Sequence, residues 1–126
     1  ISYIGFGGEG KQVRDIIDIE DLFDLLKIQL SNIEKYSGEV FNVGGGKKNS
    51  LSLLELTNLC QRISGNEVNM KEIKEERPGD VRIYIGDNKK ITKLSGWYPK
   101  RSTKTTLGNI YKWIKDNKDM LEPILS

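Results

Sequence analysis

Histidine is absent from this chain, and cysteine occurs once, at Cys60. The first absence removes every mechanism built on an imidazole base, and the two together remove disulfides and thiolate or imidazole metal cages, so no metal is expected. A lone thiol fits a reducing cytoplasm. Charge of one sign is also lacking: 20 Lys+Arg stand against 18 Asp+Glu, and the formal charge of +2 gives no broad field to hold nucleic acid or an anionic membrane. The pairs Lys47-Lys48, Lys89-Lys90 and Lys100-Arg101 are dispersed, without interleaved aromatics, and read as solvated surface. No apolar run approaches the roughly 20 residues that cross a bilayer, and no charged segment leading into an apolar one opens the chain. The expected protein has neither nucleic acid nor membrane as partner.

What is present is 126 residues, enough for one domain around one core. Ile1-Ser2-Tyr3-Ile4 reads as a strand with no leading loop, as if the chain were part of a longer protein. Val13 to Ile19 is rich in β-branched residues, with Val13, Ile17 and Ile19 expected on one face and Arg14 and Asp18 on the other. Leu22, Phe23, Leu25, Leu26, Ile28, Leu30 and Ile33 then recur at helical spacing behind the acidic Glu20 and Asp21, which predicts a buried amphipathic helix. Glu39 to Val43 reads as a strand running into Gly44-Gly45-Gly46. Ser52 and Glu55 spell a capping box for a helix closed at Gly65. Val68 to Ile73 suits a strand, Arg77-Pro78-Gly79-Asp80 a loop, and Val81 to Ile85 another strand. Asp87 is expected to cap a helix through Leu94 stopped by Gly96, and a last helix should run from Thr103 to Asn117 on Leu107, Ile110, Tyr111 and Ile114.

Three short motifs have to be weighed against their context. Gly5-x-Gly7-x-x-Gly10 matches the dinucleotide fingerprint, which works only where a strand leads in and a helix N-terminus follows. A strand after Gly10 makes the glycines a hairpin turn; the rival reading makes Lys11 to Leu30 one helix. Gly44-Gly45-Gly46-Lys47 resembles a phosphate loop, but Phe41 stands where the first glycine belongs and no Ser or Thr follows the lysine. Tyr111-x-x-x-Lys115 has the spacing of a lysine-tuned tyrosine base, yet Tyr111 lies on the apolar face of its helix and reads as core.

Two longer segments carry a resemblance. Gly10-Lys11-Gln12-Val13-Arg14-Asp15-Ile16-Ile17-Asp18-Ile19-Glu20-Asp21-Leu22 resembles a signature in the C-terminal half of extended short-chain dehydrogenases, with Asp18 where that family usually has histidine. A carboxylate there can still cap a helix. Arg77-Pro78-Gly79-Asp80-Val81 is similar to the family's second signature, and Gly96-Trp97-Tyr98-Pro99 to the end of the helix that follows it. Phe41 to Gly46 with Asn49 to Leu56 most resembles the CDP-paratose 2-epimerases.

The resemblance implies an α/β part of a Rossmann-type fold, with a small mixed, partly parallel sheet and about four helices. Residues 1–126 would form one substrate-binding domain lacking the N-terminal NAD-binding part. It further implies an NAD-dependent nucleotide-sugar epimerase acting on a CDP-sugar in lipopolysaccharide sugar biosynthesis, by transient oxidation and re-reduction of a sugar carbon. NAD and the catalytic tyrosine and lysine would lie elsewhere, leaving this part inactive alone and without catalytic residues. A nucleotide-sugar dehydratase, a 4-epimerase, or a non-catalytic binding module remain alternatives. A nucleotide diphosphate calls for fork-shaped cationic donors, for which Arg14 and Arg77 are the candidates, with Asp80 accepting ribose hydroxyls. Gln12 is placed near the same pocket by the resemblance alone. Against this, Arg14 could simply pair with Asp15 or Asp18, and Arg77 could solvate a loop beside Glu75 and Glu76. Surface bared by the missing half would favour a homo-oligomer.

Overall fold

The computed structural model describes residues 1–125. Two small sheets carry the strands. In one, β1 (Ser2–Ile4) pairs in parallel with β4 (Lys71–Ile73). In the other, β2 (Val13–Asp15) lies between β3 (Ser50–Ser52), antiparallel to it, and β5 (Ile83–Tyr84), parallel to it. The sheet content is therefore mixed and partly parallel.

The glycine run 5–10 turns no hairpin, because β1 and β2 belong to different sheets. It forms a 3-10 turn over Phe6–Gly8 that carries the chain from one sheet to the other, with Gly8 N donating to Gly5 O at 3.0 Å. The strand expected after Gly10 is present, and the long helix is not. That strand is shorter than its β-branched sequence suggests: the chain leaves the sheet after Asp15, where Ile16 N donates to Asn49 O at 3.0 Å. Ile17 packs against the core, whereas Ile19 begins a helix and is 73% exposed. Residues 39–43 form no strand, since no described segment offers them an edge; Phe41 and Val43 instead lay their side chains on the core. β5 likewise keeps only two of the five residues expected, the length over which β2 can pair with it.

Six α-helices are present among the described residues, where the sequence suggested about four. α1 (Ile19–Ser31) is capped by Asp18, whose Oδ1 accepts from Glu20 N at 2.9 Å. It stops at Asn32, and a single turn, α2 (Ile33–Tyr36), follows. The capping box opens α3 (Leu53–Ser64) as its spelling requires, and Gly65 closes it in the left-handed conformation. The Ser52 backbone N–H, then the Ser52 hydroxyl, hold the Glu55 carboxyl below the usual carboxylate range. Asn88 occupies the N-cap of α4 (Lys89–Ser95) and Asp87 the position before it, although Asp87 does accept from Lys89 N at 2.9 Å. Ser102 caps α5 (Thr103–Asp116), and α6 (Lys118–Leu125) is an addition.

Leu25, Tyr36, Ile91 and Trp97 form the buried core, ringed by Ile17, Ile28, Phe41, Val43 and Leu94. Only part of each apolar helix face reaches it. Phe23, Leu26, Leu30 and Ile33 are exposed, as are Ile110 and Ile114 of α5, because no described element covers them. Tyr111 is half-buried and its hydroxyl donates to Ser64 O at 3.3 Å, a packing role between α5 and α3.

Arg101 is not solvated surface. Its Nη1 lies 2.6 Å from Asp21 Oδ1 and its Nη2 2.7 Å from Glu20 Oε2. Asp21 is 1% exposed and also accepts from the backbone N–H groups of Lys100 and Arg101, at 3.0 and 2.9 Å. Trp97 Nε1 donates to Asp21 O at 2.9 Å, and the Thr106 hydroxyl donates to Asp18 Oδ2 at 2.7 Å. This cluster ties the start of α1 to the 97–101 segment and to α5, and the Asp21 carboxylate raises the guanidinium pKa of Arg101. No described helix is long and apolar enough to cross a membrane.

Candidate functional site

Along an extended chain, alternate residues share a side. Gln12 and Arg14 therefore fall together at β2, and Ser2 and Ile4 fall together on β1. β5 runs parallel to β2, with Val13 N donating to Arg82 O at 2.9 Å, so the loop that enters β5 arrives beside the start of β2. That loop is the turn Arg77-Pro78-Gly79-Asp80. Asp80 N donates to Arg77 O at 3.1 Å and Gly79 has φ +80°, a conformation that glycine takes without a Cβ penalty. Pro78 and Gly79 occupy the two central positions that favour a type II turn.

The result is a recess of about 240 Å³ lined by Ser2, Ile4, Gln12, Arg14, Leu53, Arg77 and Asp80. All four residues singled out in the sequence thus meet at one place. Arg14 Nη2 lies 3.0 Å from Asp80 Oδ1, and Arg14 Nη1 donates to Val13 O at 2.8 Å. Neither Asp15 nor Asp18 takes Arg14. Asp15 Oδ2 accepts from Gly46 N at 2.8 Å and from Gly86 N at 3.1 Å, and Asp18 is the cap of α1. Arg77 is exposed and makes no ion pair among the described residues. Gln12 is 4% exposed; its Nε2 donates to Ile4 O and its Oε1 has no donor. Ser2, Ile4 and Leu53 were not foreseen, although the alternation on β1 pairs the first two.

A second, open cleft of about 870 Å³ brings Lys47 and Lys48 together with Lys89 and Lys93, beside Tyr98. Lys47, Lys48 and Lys89, set apart in the sequence, are thus neighbours in the fold. No dinucleotide turn exists among the described residues, since Gly10 leads into β2 rather than into a helix.

A scan against protein-family models finds no match. The chain is 40% identical over 106 residues to the CDP-paratose 2-epimerase of Salmonella typhi, covering 84% of this chain and 31% of that protein. It is 30% identical over 124 residues to the dTDP-glucose 4,6-dehydratase of Shigella flexneri, covering 94% and 34%. In three dimensions it matches the crystal structure of UDP-glucuronic acid 4-epimerase from Bacillus cereus, solved with UDP-glucuronic acid and NAD. The TM-score is 0.75 at 27% identity, over 90% of this chain and 34% of the other. The chain belongs to the NAD-dependent epimerase/dehydratase family of extended short-chain dehydrogenases. The chain spans about a third of the length of the curated relatives it matches, and corresponds to their C-terminal part.

Proposed function

We propose that residues 1–126 are a single substrate-binding domain that holds the nucleotide diphosphate of a nucleotide sugar for an NAD-dependent epimerase. The observation that carries this reading is the recess, where two arginines and a carboxylate from separate elements converge. Arg77 takes the diphosphate with a free fork, Arg14 joins it from a fork steadied by Asp80, and the remaining Asp80 oxygen accepts a ribose hydroxyl. At about 240 Å³ the recess is smaller than the roughly 300–1,000 Å³ of sites that enclose a whole small ligand, so it suits one portion of a nucleotide sugar. Similarity to CDP-paratose 2-epimerase favours a CDP-sugar and epimerisation at C2. Similarity to dTDP-glucose 4,6-dehydratase over 94% of the chain supports a dehydratase as the second reading.

NAD supplies hydride chemistry when bound. Its binding falls mainly outside this chain, whose glycine fingerprint lacks the helix that would hold a pyrophosphate. The dinucleotide is thus held by other residues of the whole cytoplasmic enzyme, and this chain alone turns over no substrate.

Titration with CDP and with UDP, followed through backbone amides by NMR, tests the reading. Two charge-assisted contacts of about 1.5 to 3 kcal/mol each, less the cost of ordering, give a Kd in the millimolar range. Shifts are expected near Arg14, Arg77 and Asp80, and Arg77→Ala should weaken binding about tenfold, or about 1.4 kcal/mol. Shifts scattered over the surface and indifferent to Arg77→Ala would sink the proposal.

The enzyme also forms a homo-oligomer in this proposal. Ile19, Phe23, Leu26 and Leu30 of α1 are exposed and fall four, three and four residues apart, the spacing of a helix–helix seam. Sedimentation should show concentration-dependent association that Phe23→Glu with Leu30→Glu abolishes. A wild-type chain that stays monomeric at millimolar concentration would contradict it.

A further inference from the structure

Among the described residues, a single buried side-chain polar atom meets no partner: Oε1 of Gln12. The orientation of that amide is settled by its other end. Nε2 donates to Ile4 O, and turning the group over would set two oxygens against each other. The acceptor is therefore the vacant end, and it belongs to a residue in the wall of the recess between Ile4 and Arg14. Buried carbonyls in folded proteins are nearly always satisfied, so one that is not, at a recess that suits one portion of a ligand, calls for a donor from outside the chain.

We infer that Gln12 reads the nucleoside of the bound nucleotide, its Oε1 accepting a hydrogen bond from a donor on the ribose or the base. This rests on the nucleotide-sugar reading above. The diphosphate cannot fill the role, because its oxygens at neutral pH are acceptors, and Arg14 and Arg77 already offer them donors. A nucleoside does carry the required group, as a ribose hydroxyl or as the exocyclic amino group of cytosine. Ile4 and Leu53 give the same recess apolar walls suited to a flat ring. Because Nε2 stays on Ile4 O, Oε1 keeps its place, and the donor has to come to it from the recess. Gln12 then contributes recognition where the arginines contribute attraction, and it separates nucleotides from simpler phosphates.

The experiment uses this chain, isotopically labelled, with CDP, UDP, 2′-deoxy-CDP and inorganic pyrophosphate as probes. CDP is expected to move the side-chain amide signals of Gln12, and pyrophosphate to bind without moving them. Gln12→Met should weaken CDP about tenfold and leave pyrophosphate unchanged. Loss of that difference with UDP identifies the cytosine amino group as the donor; loss with 2′-deoxy-CDP identifies the 2′-hydroxyl; a difference kept by all three nucleotides identifies the 3′-hydroxyl. Should Gln12→Met fail to fold, the wild-type amide signals decide alone. Equal weakening of CDP and pyrophosphate, or amide signals that ignore CDP while the backbone near Arg77 responds, would overturn the inference and leave the nucleotide site standing. Binding of no probe at all would remove both.

Discussion

Asp21→Ala is expected to lower stability by about 3 to 5 kcal/mol, the range found when one partner is deleted from a buried ionic cluster. The Asp21 side chain is 1% exposed and accepts three hydrogen bonds, from Lys100 N, Arg101 N and Arg101 Nη1. Removing it strands two backbone donors and takes from the Arg101 guanidinium its shortest ion pair. The neighbouring acids do not replace it. Asp24 lies 3.4 Å from Arg101 Nη1 and leans mainly on Lys27, which holds its carboxyl below the usual range, and Glu20 is largely solvated. Trp97, hung by its Nε1 on the Asp21 carbonyl, would lose its anchor as α1 shifts, so the damage spreads into the core. For a domain whose whole stability is about 5 to 15 kcal/mol, such a loss leaves a large unfolded fraction on warming. Urea unfolding of wild type, Asp21→Ala and Asp21→Asn measures it, and the asparagine, which keeps one acceptor, should fall between the other two. A loss of about 1 kcal/mol or less from Asp21→Ala would mean that the cluster behaves as exposed ion pairs do.

Features written within a few residues of one another were legible in the sequence. The Ser52–Glu55 capping box, the Asp18 cap, the glycine stops at Gly65 and Gly96, and the tight turn at Arg77 to Asp80 all depend on local backbone groups, and all are present. Partners distant in sequence were not legible. Nothing near Val13 announces that its neighbours in the sheet are Ser52 and Ile83, so local patterns overstate the strands and make a hairpin of the glycine run 5–10. Exposure was misjudged for a related reason. Phe23 and Leu30 have the spacing of core residues, but spacing reveals only that a face is apolar, not what lies against it. Arg101 looked like one more surface cation because its four acidic neighbours sit about 80 positions earlier. The candidate site follows the same division. Arg14, Arg77, Asp80 and Gln12 came from short patterns, while Ser2, Ile4 and Leu53 join them only through the pairing of strands.

Gly45→Ala is expected to cost about 3 kcal/mol or more, at or beyond the upper end of ordinary overpacking. The triplet Gly44-Gly45-Gly46 invites a phosphate-loop reading, but its glycines answer to a steric need. Gly45 is buried, and a Cβ there would run into the backbone carbonyl of Ile16, which is tethered by the bond from Ile16 N to Asn49 O. A flexible side chain could move aside; a backbone held at both ends cannot without dragging β2. The same displacement would pull on Asp15, whose carboxylate gathers Gly46 N and Gly86 N and so fixes both loops beside α4. Gly65→Ala supplies the control, since it has open space around the missing Cβ and only its positive φ to lose, a penalty of roughly 1 to 2 kcal/mol. Thermal unfolding of the two variants separates crowding from backbone preference. If Gly45→Ala proves no worse than Gly65→Ala, Ile16 yields and the close approach is incidental. If it is clearly worse, the glycine is required so that the 44–46 loop can lie directly on the chain leaving β2, on the strand that also presents Arg14 to the recess.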